Sequence, residues 1–221
     1  MIKRYFIYST CYFILLLAVG EDEGVHLTFN SIRSLIIPYN QETQGISVFL
    51  LVLNLGLVLL FVDVIIKGTD DFFTLSPYAL TRAGKVYFFF LYIKQIGRML
   101  VIVIAAKLII DMVIALPDFN QLTAVFAFAI STILTVFFLT MSVFLMRLKG
   151  LELQLIYFLL LLLTLTTQIL SFSIEFFGIF VIASLGFLDN FWIIISGKIV
   201  LCLILILINY VSIRKYESLG S

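Results

Sequence analysis

Ile46-Ser-Val-Phe-Leu-Leu-Val-Leu-Asn-Leu-Gly-Leu-Val-Leu-Leu-Phe61 contains no charged residue, and its apolar side chains are continuous rather than alternating. A helix needs about 20 mostly apolar residues to cross about 30 Å of hydrocarbon, at about 1.5 Å per residue. Carried on to residue 66, this stretch is long enough. Continuous apolar character excludes the alternating strands of a membrane barrel. Helix is then the remaining way to satisfy the backbone in lipid.

The same reading predicts six spans, at about 4–20, 46–66, 98–115, 122–146, 151–171 and 191–213. The expected fold class is therefore an all-α integral membrane protein forming a single transmembrane domain over residues 1–221. Composition agrees: hydrophobic residues make up 63% of the chain and charged residues 12%, with mean hydropathy +1.21. Soluble domains hold about 45–50% apolar and about 25% charged residues. A soluble fold of this length has too little interior to hide so much apolar side chain, so lipid must solvate much of it.

The first span is ambiguous. Lys3 and Arg4, then Tyr5–Leu17, then Ala18-Val-Gly20 and Glu21 also fit a secretory signal peptide. Another apolar stretch begins directly after Gly45, so no external domain is being delivered, and the segment is expected to be retained.

Orientation follows from lysine and arginine bias. With both termini in the cytoplasm, the inner side receives Lys3, Arg4, Lys67, Arg82, Lys85, Lys94, Arg98, Arg147, Lys149, Arg214 and Lys215, eleven of the fourteen basic residues. Arg33 stays outside, and Lys107 and Lys198 fall within spans. Glu21, Asp22, Glu23, Glu42, Asp118, Glu175 and Asp189 lie on the outer side. Trp192 and Tyr210, near opposite ends of the last span, fit interfacial belts.

Three connections carry further information. Glu21 to Gly45 is external and has an amphipathic middle at Ile32-Arg33-Ser34-Leu35-Ile36-Ile37. It reads as a surface loop with a short interfacial helix, or more sharply as a cap over an exit pathway. The cytoplasmic segment 67–97 opens with Lys67-Gly-Thr-Asp-Asp-Phe-Phe. Thr69 or Asp70 can cap a short helix there, and Asp70 and Asp71 suit its positive dipole end. Phe72, Phe73 and Leu75 give it an apolar face, Pro77 breaks it, and Arg82-Ala-Gly-Lys85 leads into an aromatic run. The segment is a membrane-surface linker with snorkelling basic residues or a docking helix; its length and phenylalanine pair favour a protein partner. The third, 172–190, is almost wholly apolar. An extra span there would put Arg214 and Lys215 outside, so the expected form is a re-entrant pair of short helices, eased by Gly178 and Gly186.

Charges inside spans are functional candidates. Asp63 is placed to pair with Lys67 at i+4, and Lys107 with Asp111 on one helix face. Lys198 has Glu175 as its expected partner. Each reads as a structural pair before a proton relay.

Catalysis is not expected. The chain has no phosphate-binding Gly-x-x-x-x-Gly-Lys-Ser/Thr loop, no His-Glu-x-x-His and no Gly-x-Ser-x-Gly. Its one histidine, His26, excludes chemistry needing two. Cys11 and Cys202 lie in apolar segments and indicate neither a disulfide nor a metal site. Net charge is +1, which gives no reason to expect nucleic acid. No cofactor is expected.

In layout the chain resembles the permease subunits of type-2 ABC transporters, the small six-span exporters. Lys67-Gly-Thr-Asp-Asp-Phe-Phe and Arg82-Ala-Gly-Lys85 are similar to the coupling stretch of small Gram-positive permeases encoded beside peptide or bacteriocin ATPases. The short inner turn at Arg147-Leu-Lys-Gly-Leu-Glu-Leu and the apolar hairpin before the last span fit the same layout. The resemblance implies an ATP-binding cassette subunit on the cytoplasmic face and a second permease copy, identical or different. Asp70, Asp71, Phe72, Phe73, Leu75, Arg82 and Lys85 would then meet the ATPase. The implied cargo is a hydrophobic or amphipathic peptide or lipid. Three rivals stand beside it: a stand-alone immunity or binding protein acting through residues 21–45, a small channel, and an accessory subunit with no pathway of its own. Asn54, Ser131, Thr132, Thr135, Thr164, Thr166, Thr167 and Gln168, the main polar residues of the spans, are few for a pore.

Overall fold

The protein is described by a computed structural model that covers residues 2–22, 27–40, 45–74, 84–116 and 121–215, with side chains for 7–20, 27–39, 45–70, 84–116 and 121–215. It is mostly helical: α1 (Ile2–Asp22), α2 (Phe29–Ile36), α3 (Val48–Thr74), α4 (Lys85–Ala115), α5 (Leu122–Leu148), α6 (Leu153–Ser173) and α7 (Phe191–Lys215). A two-residue ladder pairs β1 (Tyr39–Asn40) with β2 (Gly45–Ile46), Tyr39 opposite Ile46. A 3₁₀ helix, Glu175–Ile179, follows α6.

Among the described residues, four stretches are long and apolar enough to cross a membrane: Val48–Asp70, Leu122–Leu148, Leu153–Ser173 and Phe191–Lys215. Within α1 the described apolar stretch is Ile7–Gly20. Only 22% of the apolar window of α7 is inside the protein, and Val200, Leu203, Leu207 and Val211 face outward. So large a continuous apolar surface needs a covering other than water.

Helix α5 is the hub and packs against α3, α4, α6 and α7. Its buried face carries Phe128, Val136, Leu139, Met141 and Phe144. Gly150, at φ 77°, ends α5 in the left-handed conformation that glycine adopts at no steric cost. Its N–H donates to the Arg147 carbonyl at 2.9 Å, and the chain turns back into α6.

The inner connection differs from the sequence expectation. No separate short helix starts at Thr69 or Asp70; α3 runs on to Thr74, and α4 already begins at Lys85. Nothing before Pro77 is a strong enough breaker to stop α3. Thr69, instead of capping, donates its hydroxyl back to the carbonyls of Ile65 and Ile66. Gly68 serves packing, because a Cβ there would meet Met99 Cε at 2.8 Å. The aromatic run at the start of α4 is split. Phe88, Phe89 and Tyr92 are buried, with the Tyr92 and Phe144 rings 4.3 Å apart, while Tyr87 and Phe90 stay exposed. Part of the aromatic run that leads into the third span is therefore core.

The amphipathic stretch around Ile32 does form a helix, α2, but it is packed into the bundle. Ile32, Leu35 and Ile36 are fully buried, and α2 touches α1, α3 and α4. Pro38 ends it by forcing Ile37 into extended backbone, φ −115° and ψ 95°. Asn54 of α3 caps it, its amide donating to the carbonyls of Leu35 and Ile36, each at 3.0 Å. The segment after α6 is not a pair of helices. One 3₁₀ helix is followed by irregular turns to Asn190, with Val181, Ile182, Ala183 and Phe187 buried.

Candidate functional site

Polar groups collect at three places. The first lies where α1, α3 and α6 meet. Asp63 pairs with Lys67 at 2.7 Å, as the i+4 spacing predicts. Two further donors come from distant sequence: the Tyr157 hydroxyl at 2.5 Å and the Tyr8 hydroxyl at 3.1 Å. One carboxylate thus joins three helices.

The second lies deeper, between α1 and α4. Lys107 and Asp111 form the expected pair, with side chains 1% and 0% exposed. Tyr12 donates its hydroxyl to Asp111, and the Lys107 ammonium lies 5.3 Å from the centre of the Tyr12 ring, within cation–π range. Tyr8 and Tyr12 are four residues apart, so one face of α1 serves both carboxylates. Between them Tyr8, Ser9, Tyr12, Phe61, Val103, Ala106 and Lys107 line a cleft with room for about one water molecule. This shared face is absent from the sequence reading, which gave Asp63 and Lys107 partners only within their own helices. The legible signal was the i, i+4 repeat of tyrosine in a segment otherwise resembling a signal peptide.

The third site corrects the pairing of Lys198 with Glu175. Glu175 is exposed at the start of the 3₁₀ helix, where its charge suits the local amide dipoles. Lys198 is 2% exposed and points between α5 and the irregular segment. It donates to the Thr135 hydroxyl at 2.7 Å and to the carbonyls of Val181 and Ile182. The partner was missed because backbone carbonyls of an irregular segment carry no sequence signal.

Of the residues expected to meet an ATPase, Asp70 accepts from Arg147 of α5 at 2.8 Å, and Lys85 donates to the Arg214 carbonyl of α7 at 3.3 Å. Asp71, Phe72 and Phe73 lie on the last turn of α3, but their side chains, together with Leu75 and Arg82, fall outside the described residues. The contacts nevertheless bring Lys67, Lys85, Arg147 and Arg214 to one end of the bundle. The Asp70–Arg147 pair is partly solvated, so Asp70→Ala is expected to change stability by no more than about 1 kcal/mol. Chemical denaturation of the purified variant checks this.

Among the described residues no cluster of three or more His, Cys, Asp or Glu side chains could hold a metal ion. No protein-family model, curated protein or solved structure matches the chain.

Proposed function

We propose that the chain is a six-crossing subunit of the cell membrane with both termini in the cytoplasm, and that it is the permease of an ATP-driven transporter of the type-2 ABC kind. In this reading α1, α3, α4, α5, α6 and α7 cross the bilayer. The segment after α6 dips in from the outer side, and the connection between α3 and α4 is the coupling element. A separate cytoplasmic ATPase subunit hydrolyses the nucleotide, and a second permease copy, identical or different, completes the assembly.

The observation that carries the reading is how that connection is fastened. Asp70 before it is tied to α5 through Arg147, and Lys85 after it is tied to α7 through Arg214. A push on residues 75–83 would therefore reach α3, α4, α5 and α7 together, which is what mechanical coupling to an ATPase requires. Lys107 and Asp111 neutralise one another, and the cleft beside them is water-sized. The cargo path is accordingly placed between two copies, along faces rich in leucine, isoleucine and phenylalanine, suited to a hydrophobic or amphipathic peptide or lipid.

The test is copurification with the ATPase encoded beside this chain. The wild-type chain retains the ATPase, and Phe72→Asp with Phe73→Asp loses at least about nine-tenths of it, since two charges are placed in an apolar contact. A wild-type chain that brings down no ATPase, or a double variant that binds normally, sinks the proposal. A second reading, a stand-alone immunity or binding protein, is favoured by the ordered unit of α2 and β1–β2 after α1. Under it, replacing residues 21–45 abolishes function while changes at 72 and 73 are tolerated.

A further inference from the structure

We infer that the carbonyls of Val181 and Ile182 and the hydroxyl oxygen of Thr135 form a monovalent-cation site, which the ammonium of Lys198 fills as a tethered cation. The four groups are at most 4% exposed, and no carboxylate among the described residues pairs with Lys198. A buried cation with no counter-ion needs oxygen dipoles around it.

The donor count closes. An ammonium has three N–H groups and no acceptor, and Lys198 has three oxygens to meet them: Thr135 at 2.7 Å, Ile182 at 3.4 Å, and Val181. The Thr135 hydroxyl can donate its own proton to the Val181 carbonyl at 3.2 Å. The Ile182 carbonyl also accepts from Ser131. With the Thr135 proton turned to the Val181 carbonyl, all three oxygens present lone pairs to Lys198, the arrangement that suits a cation. Nor is the Thr135 arrangement a by-product of helix geometry. Thr132 and Thr140 on the same helix donate to their own i−4 carbonyls, whereas Ser131 and Thr135 both turn to the irregular segment.

The packing around the site is built to bring that segment close. A Cβ at Gly197, beside Lys198, would lie 2.8 Å from Ile179 Cγ2, and one at Gly178 would lie 2.7 Å from Ser184 Oγ. Unwound backbone carbonyls lining a buried site are also how many membrane transporters hold sodium. Here the cation is covalently attached, so the segment between α6 and α7 is held without drawing an ion from solution. If the tether is cut, the oxygens remain and should accept a free cation of similar size.

The test uses the full-length chain purified in detergent and measures the unfolding midpoint in chloride salts of equal ionic strength. Lys198→Ala is expected to unfold about 5 °C or more below the wild type in choline chloride. Ammonium or methylammonium chloride restores at least half of that loss, and neither salt shifts the wild type. Lys198→Met, which refills the volume without charge, is lowered and not rescued. Equal midpoints for Lys198→Ala in choline and ammonium, or a wild-type midpoint for Lys198→Met, overturns the inference. If Lys198→Ala cannot be purified folded, Thr135 decides. Thr135→Val, which keeps the lysine but removes one oxygen, is expected to lower the midpoint while Thr135→Ser preserves it; equal midpoints for the two overturn the proposal.

Discussion

Replacing Asp111 with alanine is expected to destabilise the protein by about 3–5 kcal/mol, because it strands the Lys107 ammonium in an interior with no other carboxylate partner among the described residues. It also removes the acceptor of the Tyr12 hydroxyl. The cost lies in the uncompensated charge rather than in any large net value of the pair. Taking two charges out of water offsets most of their mutual attraction, so an apolar replacement of the whole cluster is tolerated. The triple variant Tyr12→Phe, Lys107→Met, Asp111→Ala should therefore recover most of the loss. Denaturant unfolding of the chain in mixed micelles, followed by circular dichroism, measures both. A single variant within about 1 kcal/mol of wild type would mean that the ammonium escapes to solvent.

Asn54→Asp is the second large effect, expected at about 3 kcal/mol or more, and at least twice that of Asn54→Leu. Both remove the amide that donates to the carbonyls of Leu35 and Ile36. Leucine merely leaves two acceptors unmet, whereas aspartate turns a negative group toward them at a position 2% exposed. Loss of this cap would also release α2, whose apolar face holds it to α1 and α3. Proteolysis between residues 27 and 46 should rise in parallel with the loss of stability. Equal effects of leucine and aspartate would contradict the cap geometry.

Apolar content and charge spacing made the long helices legible. Ile46–Phe61 lies almost wholly within α3, and residues 122–146 within α5, because continuous apolar runs without a breaker have few competing structures in lipid. The i+4 pairs Asp63–Lys67 and Lys107–Asp111 were legible for the same local reason: helix geometry alone brings them together. Contacts between distant elements were not. Tyr157 and Tyr8 reach Asp63 across 94 and 55 residues, and Lys198 is satisfied by carbonyls whose position depends on an irregular backbone path. The inner connection was misjudged because Asp70 and Asp71, typical of a helix start, sit near the end of α3 instead. There Arg147, brought by α5, compensates Asp70. Which residues of the aromatic run from Tyr87 to Tyr92 are buried was not legible either; packing against Phe144 and Tyr210 buries Phe88, Phe89 and Tyr92 and leaves Tyr87 and Phe90 exposed.

In the proposed topology the end bearing Lys67, Lys85, Arg147 and Arg214 faces the cytoplasm and the segment between α6 and α7 faces outward. The most direct measurement is cysteine labelling in intact cells with a membrane-impermeant maleimide, in a background where Cys11 and Cys202 are alanine. Lys85→Cys and Leu188→Cys are the reporters, the latter at an exposed position. The proposed topology predicts labelling of Leu188→Cys in intact cells, and of Lys85→Cys only after the membrane is opened. Labelling of Lys85→Cys in intact cells while Leu188→Cys stays protected would contradict it.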